Sequence, residues 1–231
     1  LHLAPTEHSR QNLLREGVED RHIVVTGNPA LDALRIITQQ PEPKEATRLL
    51  QNYNIEKNGK KLILVTAHRR ENHGQPLLDI CSAIRNLAET YNNQVHFIYP
   101  VHLNPNVQEP VYRLLSNIDN ITLLPPLDYL PMAHLMKKAT VVLTDSGGLQ
   151  EEAAGLNKPT LVLREVTERP EGVDAGVLKL VGTNPQKIIS ETINLLENQK
   201  AYTQMANSFN PFGDGYAAEK IIQAVLNFNN G

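Results

Sequence analysis

Short apolar runs recur along the chain and alternate with longer segments in which apolar residues repeat at helical spacing. The short runs predict seven strands, at residues 22–26, 61–66, 95–99, 121–124, 139–144, 159–162 and 177–180. The longer segments predict eight helices, at residues 8–16, 29–37, 75–91, 107–116, 130–138, 149–155, 185–199 and 214–229. Strands that are apolar on both faces are typical of a parallel sheet covered by helices. The alternation therefore predicts an α/β protein with a doubly wound parallel sheet.

A polar stretch with two prolines, residues 39–43, interrupts this alternation and has the composition of a linker. Before it the chain holds one predicted strand and two predicted helices, and after it the long alternation begins. We expect a domain boundary near residues 28–42. The sequence has no internal repeat and no low-complexity tract.

The polar motifs of the long segment mostly begin directly after a predicted strand. They occupy residues 67–72, 100–105, 146–148 and 164–172. Because right-handed crossovers place the carboxyl ends of parallel strands at one edge of the sheet, we expect these loops to converge on one crevice.

The most informative motif is Ser146-Gly147-Gly148, which lies between an apolar strand and a helix-forming run. Its glycines allow a sharp turn and a close approach of the backbone to a ligand. The first N–H groups of the helix would then face an anion. Glu152 follows about one helical turn later, where its carboxylate could accept hydrogen bonds from a sugar diol. The pattern favours a nucleotide or nucleotide-sugar ligand, although it also suits an ordinary helix N-cap.

Histidine and arginine side chains in the other loops are further candidates for ligand contacts. His68 can hold or move a proton near neutral pH, and the guanidiniums of Arg69 and Arg169 match phosphate oxygens. His102 lies in a loop stiffened by prolines. Each also has a structural interpretation, as a surface ion pair, a solvated loop or a packed histidine. The two histidines lack the short spacing of a zinc site, so no metal is expected.

A structural role is favoured for residues 210–218, which open the last predicted helix. Within them Asp214 is predicted to be the helix N-cap.

The composition argues against several classes of partner. The chain has 231 residues, a formal net charge of -3 and no dense Lys/Arg stripe, so nucleic acid is not expected to bind. No apolar run reaches the roughly 18 residues of a membrane span. The single cysteine, Cys81, is predicted to pack inside a helix and fits a reducing compartment. The first residues resemble neither a signal peptide nor a translation start, as expected for part of a longer chain.

Together these motifs resemble the non-hydrolysing UDP-N-acetylglucosamine 2-epimerases. The resemblance rests on residues 5–7, 26–29, 67–72, 100–105, 144–153, 167–171 and 210–218, in order along essentially the whole chain. It implies the C-terminal, Rossmann-like domain of a GT-B-like two-domain fold, with residues 43–208 as the UDP-binding domain. Residues 1–42 would be a remnant of the N-terminal domain plus linker. Residues 209–231 would form a helix that packs back towards that domain.

The resemblance implies interconversion of UDP-N-acetylglucosamine (UDP-GlcNAc) and UDP-N-acetylmannosamine (UDP-ManNAc) by anti elimination and re-addition of UDP, without a metal or redox cofactor. It implies a cytoplasmic enzyme of cell-surface polysaccharide biosynthesis. The family's N-terminal domain, with the acidic residues assigned to proton transfer at C2, is missing from these residues. We therefore expect the chain to be inactive alone and its full-length parent to be a homodimer.

The resemblance also implies a role for individual residues. Ser146, Gly147 and Gly148 would hold the UDP phosphates, and Glu152 the ribose hydroxyls. Arg169 would stabilise the departing UDP, as charge complementary to a leaving phosphate does.

Three further assignments follow from the resemblance. His68 would contact the substrate near the phosphates. The uracil would rest near Leu127 and Met132, where the family often has an aromatic residue at the second position. Arg69 and His102 resemble residues that bind a second, regulatory UDP-GlcNAc in bacterial members. Two other classes stay open: a non-catalytic UDP-sugar-binding module, and the C-terminal domain of a GT-B glycosyltransferase.

Overall fold

The computed structural model describes residues 1–53, 55 and 57–229. Its strands are β1 (His2–Ala4), β2 (Ile23–Val25), β3 (Lys61–Thr66), β4 (Val95–Pro100), β5 (Ile121–Leu124), β6 (Val141–Thr144), β7 (Thr160–Val162) and β8 (Leu178–Leu180). Its helices are α1 (Glu7–Arg15), α2 (Pro29–Gln39), α3 (Lys44–Asn52), α4 (Gln75–Thr90), α5 (Pro105–Leu115), α6 (Tyr129–Lys138), α7 (Gly147–Gly155), α8 (Pro170–Asp174), α9 (Pro185–Glu197), α10 (Gln199–Ala206) and α11 (Ala217–Asn229).

Six strands form one parallel sheet in the order β5-β4-β3-β6-β7-β8. The chain winds outward from β3 to β5, then returns to the other side of β3 and winds outward again from β6 to β8. The predicted doubly wound α/β fold is confirmed. The winding direction reverses between β3 and β6, and ligands of such sheets bind outside the carboxyl ends of the strands at this point.

The side chains of β3 show how the sheet is held between two helical layers. Ile63 and Val65 face a cluster that includes residues of α4, α5 and α9. Leu62 and Leu64 face the opposite cluster, which includes residues of α3 and α6. All four are at most 2 % exposed, because alternate residues of a strand point to opposite faces and both faces are covered.

The N-terminal strands do not join this sheet. β1 and β2 pair in parallel with each other, and α1 connects them. α2 then packs on α6 and α7, and the last helix, α11, packs on α2. The proposed domain limits at residues 42 and 208 stay a prediction.

The start of α11 is stabilised by a residue distant in sequence. The Asp32 carboxylate accepts the backbone N–H groups of Ala217 and Ala218, each at 2.9 Å. The prediction that Asp214 is the N-cap is wrong, because Asp214 precedes the helix and accepts the Tyr216 N–H at 3.1 Å. A tertiary contact therefore replaces the local cap.

Four elements were not predicted: β1, α3, α8 and α10. Helix α3 is amphipathic but mostly polar, and it buries only Ala46 and Leu50. Strand β1 has three residues, of which one is buried, and α8 has five. Within the described part of the chain, the helices are all too short or too polar to cross a membrane.

Candidate functional site at the sheet switch point

Two threonines bring the polar loops together at the switch point. Thr66 ends β3 and Thr144 ends β6, and the two residues are register partners. Their hydroxyls lie 2.7 Å apart in a buried hydrogen bond. The loops that begin at residues 67 and 145 therefore leave the sheet side by side, as the sequence predicted.

The Ser146-Gly147-Gly148 turn forms the start of helix α7. The Ser146 N–H donates to the Thr144 hydroxyl at 3.0 Å, which fixes the turn to the end of β6. The Ser146 side chain makes no capping hydrogen bond in the described structure. A Cβ atom placed on Gly148 would meet no other atom within 4 Å, so a ligand can approach the backbone there. The free N–H groups of a helix start bind anions in such a position.

Two guanidiniums from different loops stand beside this helix start. A Cβ atom on Gly147 would lie 3.4 Å from Nη2 of Arg69 and 3.7 Å from Nη2 of Arg169. Arg69 comes from the loop after β3, and Arg169 from the loop after β7. The Glu168 carboxylate is also close, with Oε2 3.8 Å from the same Cβ position. The N–H groups of two guanidiniums and a helix N-terminus suit a group with more than one negative charge, such as a diphosphate.

Arg169 is oriented by a buried carboxylate. Its Nε donates to Glu151, which is 8 % exposed and also accepts a hydrogen bond from the Asn28 side chain. The Arg169 N–H donates to the Thr167 hydroxyl at 3.1 Å. The contact through Nε orients the guanidinium so that Nη2 points towards Gly147. The solvated-loop interpretation of this segment does not describe Arg169.

Arg164, in the same loop, forms ion pairs within the protein. It contacts Glu71 at 2.5 Å and Glu168 at 2.6 and 2.9 Å. Its hydrogen bonds to Glu168 lower the pKa of that carboxyl to about 2. This ion-pair cluster joins the loop after β7 to the loop after β3.

His68 and His102 stack on each other above the switch point. Their ring centroids are 5.3 Å apart and the ring planes differ by 13°. Burial lowers the pKa of His68 below its ordinary value; Asp145 opposes this effect, and His102 and Arg69 add to it. In the free chain these effects together favour the neutral imidazole of His68.

Glu152 lies further along α7 beside Tyr129, the first residue of α6. Burial raises the pKa of Glu152 to about 6; interaction with the Tyr129 hydroxyl opposes the rise and the neighbouring Glu151 adds to it. Leu127 and Met132 flank Tyr129 in sequence and pack, half-buried, on the core cluster beneath α6. The two predicted uracil contacts thus also belong to the core.

A cavity of about 440 Å³ opens next to Arg169. One wall carries Glu151, Arg169 and Glu171, and the other carries Thr6 and Asn28 from the N-terminal elements. The Thr6 hydroxyl of one wall donates to Glu171 of the other at 2.9 Å. The part of the chain that the structure describes holds no cluster of three or more histidine, cysteine or acidic side chains suited to a metal ion.

Sequence reasoning missed three residues of this site: Asp145, Glu151 and Tyr129. Asp145 and Glu151 are buried carboxylates within the motif already singled out, at 0 % and 8 % exposure. The only indication of either residue in the sequence was its acidic side chain within the motif at residues 144–153. Tyr129 lies between the two predicted uracil contacts, and its aromatic ring was the available clue.

Comparison with known proteins agrees with this geometry. The family model described as UDP-N-acetylglucosamine 2-epimerase matches residues 1–226. A UDP-N-acetylglucosamine 2-epimerase of Yersinia pestis is 51% identical over 98% of this chain and 60% of its own length.

Solved structures give the same result. A putative UDP-N-acetylglucosamine 2-epimerase from Listeria monocytogenes superposes with a TM-score of 0.91 at 42% identity, over 100% of this chain and 60% of that one. The UDP-GlcNAc 2-epimerase of Neisseria meningitidis bound to UDP-GlcNAc has a TM-score of 0.90 at 44% identity, over 98% of this chain and 61% of that one. The chain thus spans about 60% of the length of these relatives.

Proposed function

This chain belongs to the UDP-N-acetylglucosamine 2-epimerase family, and on that premise we propose that it is the nucleotide-binding part of an enzyme that interconverts UDP-GlcNAc and UDP-ManNAc. The observation that carries the proposal is the meeting of Arg69 and Arg169 at the glycine turn that starts α7. This arrangement suits the diphosphate of UDP, because both guanidinium forks and free backbone N–H groups bind phosphate oxygens.

The remaining contacts of UDP follow from the same placement. The diphosphate would accept hydrogen bonds from the backbone N–H groups of Gly147 and Gly148 and from the Ser146 hydroxyl, since the Ser146 N–H already donates to Thr144. The ribose diol would donate to Glu152, whose carboxylate lies further along the same helix. The uracil would cover Leu127 and Met132, beside the Tyr129 ring.

In the proposed reaction the bond between the sugar C1 and the UDP oxygen breaks while a proton leaves C2, which gives an unsaturated sugar and UDP. UDP then adds back to C1 as a proton returns to the opposite face of C2. Arg169 supports the departure by neutralising charge on the leaving diphosphate. The base at C2 would be supplied by the part of the parent enzyme that precedes these residues.

Arg69 and His102 were expected to hold a second, regulatory UDP-GlcNAc, and we retain that role as a proposal. The stacking of His102 on His68 supports it, since a ligand on His102 would adjoin the first site. Arg69 also faces the helix start, which gives it a proposed contact with the first diphosphate as well.

Calorimetric titration of the 231-residue chain with UDP tests the binding site. We expect Arg169→Ala to weaken UDP binding about tenfold to a hundredfold, since hydrogen bonds to charged groups contribute roughly 1.5–3 kcal/mol. The matched control is Arg113→Ala, which removes an exposed arginine paired with Glu109 on α5. Equal UDP affinity of the Arg169 variant and the control would contradict the proposed site.

The full-length parent tests the reaction. In deuterated water, elimination and re-addition should place solvent deuterium at C2 of both sugars. UDP binding without epimerisation by the full-length parent would instead support a non-catalytic binding module. The family match argues against the glycosyltransferase alternative. We further propose a cytoplasmic homodimer that serves cell-surface polysaccharide synthesis, which size measurement and cell fractionation can check.

A further inference from the structure

Asp145 is a buried carboxylate that the proposed reaction does not use. It follows β6 directly and is 0 % exposed. Its Oδ2 atom accepts the backbone N–H groups of His68 and Arg69, each at 2.8 Å, and the side-chain amide of Asn72 at 3.0 Å. Through this one oxygen, Asp145 fixes the loop after β3 to the end of β6.

The other carboxylate oxygen of Asp145 is not explained by this role. Oδ1 is buried and has no hydrogen-bond partner among the described residues. The His68 imidazole faces it, with Nδ1 at 3.6 Å. A buried acceptor without a donor is costly, roughly 1–3 kcal/mol, so the contact with Nδ1 has a strong reason to form. This distance is longer than that of an N–H···O hydrogen bond, so the two atoms must approach by a few tenths of an ångström to form one.

We propose that Asp145 is a positioning residue that accepts the Nδ1–H of His68 and so fixes the imidazole in the tautomer whose Nε2 is free for the ligand. The inference rests on the proposed function only for the identity of that ligand, the UDP diphosphate. The Nε2 lone pair points away from Nδ1 and from Asp145, and the His68 side chain as a whole is 34% exposed, so we place the ligand on the Nε2 side.

The arrangement couples UDP binding to proton uptake. The groups that face His68 are the Asp145 carboxylate, the His102 ring and the Arg69 guanidinium. A bound diphosphate would offset the charge of Arg69 and place negative charge next to Nε2. The imidazolium would then lie between two anions, which favours its protonated form. Binding would therefore transfer one proton from the buffer to Nε2, where it donates to a phosphate oxygen.

An alternative is that Asp145 only joins the two loops. Asp145→Asn separates the two roles, because the amide oxygen can still accept the backbone N–H groups of His68 and Arg69. The amide nitrogen, in the place of Oδ1, would donate to Nδ1 and favour the Nε2–H tautomer. A change from aspartate to asparagine beside a histidine acts in this way in serine proteases.

The test is a long-range ¹H–¹⁵N correlation spectrum of the histidines in the 231-residue chain, recorded against pH with and without UDP. The His68 signal is assigned from His68→Gln. We expect the Nδ1–H tautomer in the wild-type chain and the Nε2–H tautomer in Asp145→Asn. The buried His96, which contacts the Thr122 hydroxyl at 2.8 Å, reports whether the fold is intact. A wild-type His68 in the Nε2–H form overturns the proposal, and this result does not depend on the folding of Asp145→Asn.

Calorimetry in two buffers of different ionisation enthalpy measures the coupled proton. We expect the wild-type chain to take up close to one more proton per UDP than His68→Gln. As the pH rises between the free and bound pKa values of His68, the UDP affinity of the wild-type chain should fall more steeply than that of His68→Gln, by up to about tenfold per pH unit. The comparison removes the titration of the terminal phosphate of UDP, which occurs near pH about 6. Equal proton uptake in both chains refutes the coupling.

The proposed UDP site and the proposed role of Asp145 can be contradicted separately. If UDP does not bind, the proposed function fails, while the His68 tautomer in the free chain still tests Asp145. If UDP binds with the expected dependence on Arg169 but His68 has the other tautomer, the role of Asp145 fails alone.

Discussion

Replacing Gly148 by alanine should stabilise the chain and weaken UDP binding at the same time. Gly148 is the second residue of α7 and has helical backbone geometry, so alanine fits it without strain. Its added methyl group would meet no other atom within 4 Å. The same open space is where the diphosphate is proposed to approach the backbone. The substitution thus fills a site that only a ligand uses.

The size of both effects follows from this geometry. Glycine-to-alanine changes at compatible positions stabilise proteins by about 0.4–1 kcal/mol, and 1 kcal/mol moves the Tm of a chain this long by about 2–4 °C. We therefore expect the Tm to rise by up to about 4 °C. Loss of hydrogen bonds between the backbone and a charged phosphate, roughly 1.5–3 kcal/mol, should raise the Kd for UDP about tenfold to a hundredfold.

Thermal unfolding and UDP titration of the same sample provide the assay, and Gly172→Ala provides the contrast. A Cβ atom on Gly172 would lie 2.5 Å from Cδ1 of Leu178 and 2.9 Å from Cζ of Phe212, both buried side chains. That overpacking should cost about 1–3 kcal/mol and lower the Tm.

Two results would refute the reasoning about Gly148. Wild-type affinity for UDP in Gly148→Ala would show that the phosphate does not approach this part of the backbone. A Tm lowered as in Gly172→Ala would show that the space beside Gly148 is not open.

Three further predictions concern carboxylates. Because the pKa of Glu152 is raised to about 6, its carboxylate loses an acceptor as the pH falls through 6, and UDP titrations at pH 7.5 and pH 5 should show a less favourable change in affinity for the wild-type chain than for Glu152→Gln, which shares every other titrating group. Asp32→Ala removes the cap of α11 and should destabilise the chain by about 0.5–2 kcal/mol in urea unfolding with unchanged UDP affinity, whereas a weakened affinity would contradict its purely structural role. The folded-state pKa of Glu168, about 2, lies below the ordinary value of 4.5, so its ion pair with Arg164 stabilises the fold fully above pH 4.5 and progressively less as the pH falls towards 2. The Tm of Glu168→Gln should therefore depend less on pH between 5 and 3 than the Tm of the wild-type chain, and an equal dependence would contradict this.

The predicted sheet follows from the local sequence because its strands are apolar on both faces. Residues 62–65 of β3 are all apolar, and their side chains are buried in two separate clusters. The short elements could not be found in this way. Strand β1 has three residues, of which one is buried, and is too short to show a period, whereas helix α3 does have an amphipathic period that the prediction did not use.

The candidate site was predicted in outline for a related reason. Parallel strands end at one edge, so the order of strands and loops alone predicted that His68, Ser146 and Arg169 would be near one another. The resemblance to a family added the prediction that the ligand is UDP-GlcNAc. Both sources chose Arg169 rather than Arg164, and the structure supplies the reason: Arg164 is paired with Glu71 and Glu168, whereas the Arg169 guanidinium reaches the helix start.

The sequence by itself determined the fold class, the glycine-rich start of α7 and the set of loops that meet at the sheet edge. Those features depend on local periodicity and on backbone freedom, which neighbouring residues specify. The tertiary structure alone decided that Asp32 rather than Asp214 caps α11, that Glu151 orients Arg169 and that Asp145 faces His68. Each of these is a contact between a buried carboxylate and a group distant in the chain. Their energies depend on burial and on distances of a few ångströms, which only the folded chain defines.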